Sequence, residues 1–146
     1  MLMLLFYVGE KGYAIDSEAV IEVIPKILIT PLLHVPSYVL GTITYGGVQI
    51  PIIDFPLLTE SIPCKESMHS RIFILSRQEK NDPPTYVGIL SEKIIEAIEI
   101  EEEKIISSGV KIKQFPYFGG VFRLKSKSFQ VIDVNGFFDS MKKELL

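Results

Sequence analysis

Short apolar runs alternate with turn-forming residues along nearly the whole chain. Runs rich in Ile, Val, Phe and Tyr recur roughly every ten to fifteen residues, and Gly, Pro, Asn or Asp separates them, which is typical of an all-β sandwich or barrel. The pattern predicts about ten strands, at Met3–Val8, Tyr13–Ile15, Val20–Ile24, Thr42–Tyr45, Val48–Ile53, Arg71–Leu75, Tyr86–Leu90, Ile94–Ile98, Gly120–Leu124 and Phe129–Ile132.

Proline marks where this strand pattern is interrupted. Pro25 and Pro31 predict an irregular extended crossing as far as Pro36, because proline fixes φ and restricts the residue before it. Pro51 cannot donate to a strand ladder, so it predicts an edge position for the strand Val48–Ile53. Residues 59–70 and 78–85 lack periodicity and are predicted to be loops.

One helix is predicted, at the C-terminal end of the chain. Residues 135–146 have apolar side chains at three- and four-residue spacing, which predicts one buried face. These side chains are Phe137, Phe138, Met141 and Leu145.

An internal echo indicates two related halves. The segment GGVQIPIIDFPLL (residues 46–58) resembles GGVFRLKSKSFQVIDVNGFF (residues 119–138) if the second hairpin loop is longer. Each segment ends a strand in Ile-Asp before apolar residues. A carboxylate there can cap the free N–H groups of a helical turn, so we predict that Asp54 and Asp133 are caps rather than an acid and base pair.

Composition narrows the function classes. A chain of 146 residues with 47% hydrophobic residues predicts a single domain, residues 1–146. Fifteen Lys and Arg against 18 Asp and Glu, without a basic cluster, argue against nucleic acid or an anionic membrane as partner. The apolar start, Met1–Val8, has no basic leader and is much shorter than the ~20 residues that span a bilayer, so neither export nor membrane insertion is expected.

The potentially reactive side chains give little support for catalysis or cofactor binding. Cys64 is the single cysteine, so no intramolecular disulfide forms and a reducing cytoplasm fits best. His34 and His69 lie in predicted loops without further ligands at short spacing, so no metal or other cofactor is expected. A Cys64 and His69 pair could act as nucleophile and base, and a small β-barrel enzyme or ligand-binding module using that loop remains the alternative function.

Four segments carry a family resemblance. VPSYVLGTITYGGVQIPIIDF (residues 35–55) resembles the signature of CheW-type coupling proteins, with a Pro, an apolar pair, Gly, a short strand, a second Gly, and a strand ending in Pro-apolar-apolar-Asp. LLFYVGEKGYAIDSEAVIEVI (residues 4–24), YVGILSEKIIEAIEI (residues 86–100) and YFGGVFRLKSKSFQVIDVNGFF (residues 117–138) are similar to the family's opening hairpin, central strand pair and closing hairpin.

The resemblance implies an all-β fold of two intertwined five-stranded SH3-like β-barrels with a short C-terminal helix. It also implies a non-catalytic cytoplasmic scaffold that couples the regulatory domain of a CheA-type histidine kinase to the cytoplasmic tip of methyl-accepting chemoreceptors. By resemblance, the receptor-binding residues are Val20, Glu22, Gly41, Thr44, Tyr45 and Gly46, near the groove between barrels, and the kinase-binding residues are Leu90 and Ser91.

The chain departs from the family pattern at one conspicuous position. The family usually has Asn-Leu-Arg-Gly where this chain has residues 44–47, so Gly46 replaces the family's arginine. A buried Glu22 without a cation would cost several kcal/mol. We therefore predict that Glu22 is exposed or paired with another group, with Lys26 and Arg123 as candidate cations.

Overall fold

The computed structural model describes residues 1–92 and 94–145, which form ten strands and two α-helices. All ten predicted strands are confirmed, with small differences at their ends. The strands are β1 (Leu2–Val8), β2 (Lys11–Asp16), β3 (Val20–Pro25), β4 (Val39–Tyr45), β5 (Val48–Asp54), β6 (Arg71–Arg77), β7 (Thr85–Ser91), β8 (Ile94–Glu99), β9 (Phe118–Leu124) and β10 (Lys127–Ile132). The helices are α1 (Phe55–Glu60) and α2 (Val134–Glu144), and 3₁₀ turns cover Ser17–Ala19 and Glu102–Lys104.

The strands form two five-stranded sheets, each within its own compact unit of the chain. The first unit contains residues 1–19 and 94–145, with the strand order β8-β1-β2-β10-β9. The second unit contains residues 20–92, with the order β3-β6-β7-β5-β4. The predicted all-β fold with two five-stranded parts is confirmed. Among the described residues the ladder of each sheet ends at two edge strands, so neither sheet closes into a complete barrel.

The two units repeat one local arrangement, which confirms the internal echo. In each unit a hairpin leads into a helix, β4–β5–α1 or β9–β10–α2. The Asp54 N–H donates to the Tyr38 carbonyl at 2.8 Å, and the Asp133 N–H donates to the Tyr117 carbonyl at 2.7 Å. Both aspartates have nearly the same φ and ψ, –77° and 102° against –78° and 101°.

Each unit has its own cluster of buried apolar side chains. The first-unit cluster is Met3, Leu5, Ala14, Ile100, Phe122 and Phe129. The second-unit cluster is Ile43, Ile50, Ile52, Ile72, Ile74 and Leu90. Full burial of such a side chain contributes about 1.5 to 3 kcal/mol. Apolar side chains that alternate along the strands therefore form a buried cluster in each unit, and their burial stabilises each sheet without a disulfide.

Two expectations about local structure need correction. The edge position inferred from Pro51 is wrong, because β5 lies between β4 and β7. Proline is tolerated there because the parallel ladder with β7 begins only at Ile52. The short helix α1 was not predicted as a helix, and its last two residues fall in the predicted 59–70 loop. The C-terminal helix is confirmed, and it buries Phe137, Phe138 and Met141.

Candidate functional site

Glu22 and Tyr45, two of the residues assigned by resemblance, come together in the second unit. Glu22 lies on β3 with an exposed side chain, and Tyr45 lies at the end of β4. Desolvation raises the pKa of the Tyr45 hydroxyl, and the negative Glu22 carboxylate, which accepts a hydrogen bond from it, raises that pKa further. The prediction that Glu22 is exposed is confirmed. The candidate cation Lys26 binds Glu66 instead, with Nζ 2.6 Å from Oε1.

The hairpin between β4 and β5 carries two more of these residues, Thr44 and Gly46. Gly46 and Gly47 both have positive φ, 54° and 80°, as the tightest hairpin turns require. Gln49 Nε2 donates to Thr44 Oγ1 at 2.6 Å across the strand pair. Thr44 and Gly46 are exposed, and a Cβ added to Gly46 would meet no atom within 4 Å. This turn can therefore present a side chain to a partner.

Gly41 differs from the other receptor-assigned positions because it is buried. Its φ of 141° is accessible to glycine alone, and an added Cβ would lie 1.9 Å from the carbonyl oxygen of Thr30. Val20, at the start of β3, is partly exposed. The structure therefore assigns Gly41 a backbone role, whereas Val20, Glu22 and the hairpin offer surface.

Leu90 and Ser91, assigned to kinase contact by resemblance, are both buried. They end β7, an inner strand, and Leu90 belongs to the second-unit core. Ser91 is 0% exposed, and its Oγ has no hydrogen-bond partner among the described residues. Neither side chain therefore reaches the surface of the second unit, and the assignment of Leu90 and Ser91 to kinase contact stays a prediction.

The alternative catalytic pair, Cys64 and His69, does not have the geometry of a dyad. Within the described part of the chain, the thiol contacts the Lys65 carbonyl at 3.7 Å, and no hydrogen bond joins it to the exposed His69. Burial, followed by the nearby negative charge of Asp54, raises the pKa of the Cys64 thiol to about 11. A nucleophilic cysteine needs the opposite shift.

We expect Cys64 to react with iodoacetamide at pH 8 about tenfold more slowly than an unstructured cysteine. The thiolate fraction falls by roughly a hundredfold, and the higher intrinsic nucleophilicity of a high-pKa thiolate offsets part of that loss. Because the folded pKa lies above the unfolded one, the unfolded chain loses this proton first. Cys64 should therefore lower stability as pH rises from its ordinary pKa toward 11. Mass spectrometry of the alkylated protein measures the rate.

The urea-unfolded chain is the control for this reaction and should alkylate at the ordinary rate. His69→Ala should leave the folded rate unchanged. A folded rate above that of free cysteine, and slowed by His69→Ala, would restore the enzyme alternative.

A surface that the sequence reasoning missed lies between β3 and β4. Residues 27–33, here called the apolar arm, were predicted only as an irregular crossing. Leu28 is 92% exposed and Leu33 is 84% exposed, with Ile27 and Leu32 each at 44%. Thr30 anchors the arm through two backbone hydrogen bonds with Thr42, at 2.8 and 2.9 Å. The sequence did contain a signal for this surface: the residues between Pro25 and Pro36 are mostly apolar, whereas the residues of a solvated loop are usually polar.

Residues 1–92 and 94–145 contain neither a candidate metal site nor a candidate membrane-spanning helix. No group of three or more His, Cys, Asp or Glu side chains there could hold a metal ion. No helix there combines the length and the hydrophobicity needed to cross a membrane. The candidate sites are therefore surfaces, namely the Glu22 and Tyr45 region with its hairpin, and the apolar arm.

Comparison with known proteins identifies the family. The model of the CheW-like domain matches residues 2–142 of this chain. The chain belongs to the CheW-like domain family. It is 22% identical over 144 residues to the chemotaxis protein CheW of Rhizobium meliloti (strain 1021), which covers 97% of this chain and 90% of that protein. It is 29% identical over 69 residues to the protein FrzA of Myxococcus xanthus, covering 47% and 43%.

A solved structure shares the fold of this CheW-like chain. The scaffolding protein TtCheW from Thermoanaerobacter tengcongensis superposes with a TM-score of 0.77 at 23% sequence identity, covering 90% of this chain and 82% of the other. The family model includes all eight residues assigned by resemblance, from Val20 to Ser91. All eight also lie in the second unit.

Proposed function

We propose that this CheW-like chain is a non-catalytic cytoplasmic scaffold of chemotaxis-type signalling. It couples the regulatory domain of a CheA-type histidine kinase to the cytoplasmic tip of a methyl-accepting chemoreceptor. The observation that carries the proposal is the match of the CheW-like domain model to residues 2–142. The raised pKa of Cys64 supports the absence of catalysis by that thiol.

The receptor contacts the second unit at Glu22, Tyr45 and the Gly46–Gly47 turn. Glu22 is exposed and its carboxylate accepts a hydrogen bond from the Tyr45 hydroxyl, so the pair presents a negative charge beside an aromatic ring. Gly46 leaves open space where the family has arginine. The complementary receptor tip therefore carries a cation or hydrogen-bond donor facing Glu22. Because Gly46 supplies no arginine, the receptor has no carboxylate that pairs with a cation at that position.

The kinase contacts the apolar arm. Exposed apolar side chains on one segment mark a protein-binding surface, and Leu28 and Leu33 are far more exposed than core leucines. The two Thr30 hydrogen bonds hold the arm in one conformation, which lowers the entropic cost of binding. A standard contact of about 800 Å² per partner, dominated by apolar side chains, should tolerate salt.

Affinity purification of the tagged chain from its own cells should recover a histidine kinase and a chemoreceptor. The double variant Leu28→Glu/Leu33→Glu should lose the kinase and keep the receptor, because two charges cannot be buried in an apolar contact. Glu22→Lys should do the reverse, with a loss of receptor affinity of about tenfold or more. Gly46→Arg should change receptor affinity and leave the kinase bound, because it restores the family's side chain at an open position.

Two matched substitutions control for charge and hydrophobicity alone. Val110→Glu alters a side chain that is 65% exposed in the first unit, and Glu103→Lys reverses an exposed charge there. Both variants should retain both partners. Recovery of neither a kinase nor a receptor by the unaltered chain contradicts the proposed function. If Leu28→Glu/Leu33→Glu kept the kinase, only the assignment of the apolar arm would be wrong.

A further inference from the structure

The first unit contains an open groove that the proposed function does not use. The groove has a volume of about 760 Å³ and lies between the β1–β2 hairpin and the β9–β10 hairpin. Its lining comes from Tyr7, residues 9–13, Phe118, Val121 and residues 127–130. Every residue assigned to a receptor or a kinase lies in the second unit. The inference about this groove therefore stands apart from the proposed function.

Aromatic rings form the apolar part of the groove. Tyr7 packs against Phe129 with ring centroids 5.7 Å apart, and Tyr13 packs against Phe118 at 5.9 Å. Gly12 allows the Phe129 ring to lie against the β2 backbone, because an added Cβ would come within 2.8 Å of that ring. The rings therefore occupy fixed positions and give the groove a stable apolar floor.

Charge at the groove is mainly positive, although the chain as a whole has a formal charge of –3. Lys11 and Lys127 line the groove together with one carboxylate, Glu10. The Lys127 ammonium lies 5.1 Å from the centre of the Tyr7 ring, which keeps this cation above the apolar floor. The Gln130 amide donates to the Gly119 and Gly120 carbonyls at 2.7 and 3.3 Å, so its N–H groups are already occupied.

We propose that this groove binds an acidic segment of a second protein, with apolar side chains on the aromatic floor and a carboxylate at Lys127. A segment that alternates apolar and acidic residues satisfies both parts of the lining. A basic segment is disfavoured by like charge.

A labelled peptide provides the probe. A seven-residue fluorescein peptide that alternates aspartate with phenylalanine and leucine is titrated with the full chain, and binding is followed by fluorescence anisotropy. Amide chemical shifts of the isotope-labelled chain locate the site, and they should change at residues 7–13, 118–121 and 127–130. Lys127→Glu should weaken binding about tenfold. Binding should also weaken as salt shortens the range of the charge interaction.

Lys80→Glu is the matched control, because Lys80 is an exposed lysine in the second unit and its reversal changes net charge equally. It should leave the affinity unchanged. The proposal is overturned if the peptide with asparagine in place of aspartate binds equally well, or if the shifts lie outside the groove. It is also overturned if sedimentation shows self-association that Lys127→Glu abolishes, since the occupant would then be a second copy.

Discussion

Replacing Gly41 with alanine is expected to destabilise the chain by about 3 to 5 kcal/mol. The φ of 141° at this position is closed to residues with a side chain. The new Cβ would also lie 1.9 Å from the Thr30 oxygen and 2.9 Å from the Pro31 Cα, so backbone rather than a flexible side chain must move. The domain could lose most of its stability from this one methyl group.

The movement would also break the anchor of the apolar arm. Thr30 and Thr42 exchange two backbone hydrogen bonds, each worth about 1 kcal/mol net. If Thr30 is pushed away, the arm loses its fixed conformation together with these bonds. We therefore expect Gly41→Ala to weaken kinase binding through the arm, although Gly41 itself is buried.

Urea unfolding followed by circular dichroism measures the stability change. Gly9→Ala is the matched control, because Gly9 also has positive φ, 61°, but a Cβ there would meet no atom within 4 Å. It should cost only about 1 to 2 kcal/mol, the price of left-handed backbone alone. Equal losses for the two variants would contradict the argument from close approach.

Much of the fold could be predicted because its signals are local. Strand alternation and hairpin glycines gave the ten strands, and the repeated Ile-Asp ending gave both helix caps. The prediction from Pro51 was wrong because a missing N–H indicates only that one ladder position is unused. An inner strand can have such a position where its pairing with a neighbouring strand has not begun, as β5 has before Ile52. Helix α1 was predicted only as a helical turn capped by Asp54, because six residues are too few to display a helical period.

The candidate sites depend on contacts between distant segments and were less predictable. Glu22 and Tyr45 meet across 23 positions of sequence, and the chain gives no signal of their hydrogen bond. The groove needs two hairpins that become neighbours only through the parallel pairing of β2 with β10. Leu90 and Ser91 were assigned by family resemblance, which matches positions in the sequence but does not show whether the side chains there are exposed.

Asp54→Ala is expected to cost about 3 kcal/mol, and Asp133→Ala about 1 kcal/mol, although the two aspartates cap equivalent helices. Asp54 is 3% exposed, and its Oδ1 accepts from the Leu57 N–H at 3.0 Å. Its Oδ2 also accepts from the Cys64 N–H at 3.0 Å, which ties the following loop to the helix start. Asp133 is exposed and accepts from the Gly136 N–H at 3.2 Å.

The difference in burial determines the difference in cost. When Asp133 is removed, water can reach the freed N–H group, so only the cap is lost. When Asp54 is removed, two donors lose a charged acceptor in a site that water enters poorly, and each unpaired buried donor costs about 1 to 3 kcal/mol. Asp54→Asn keeps one acceptor oxygen and should fall between the two alanine variants. Thermal unfolding of the three variants measures the order, and equal costs for Asp54→Ala and Asp133→Ala would show that the bond to Cys64 contributes nothing.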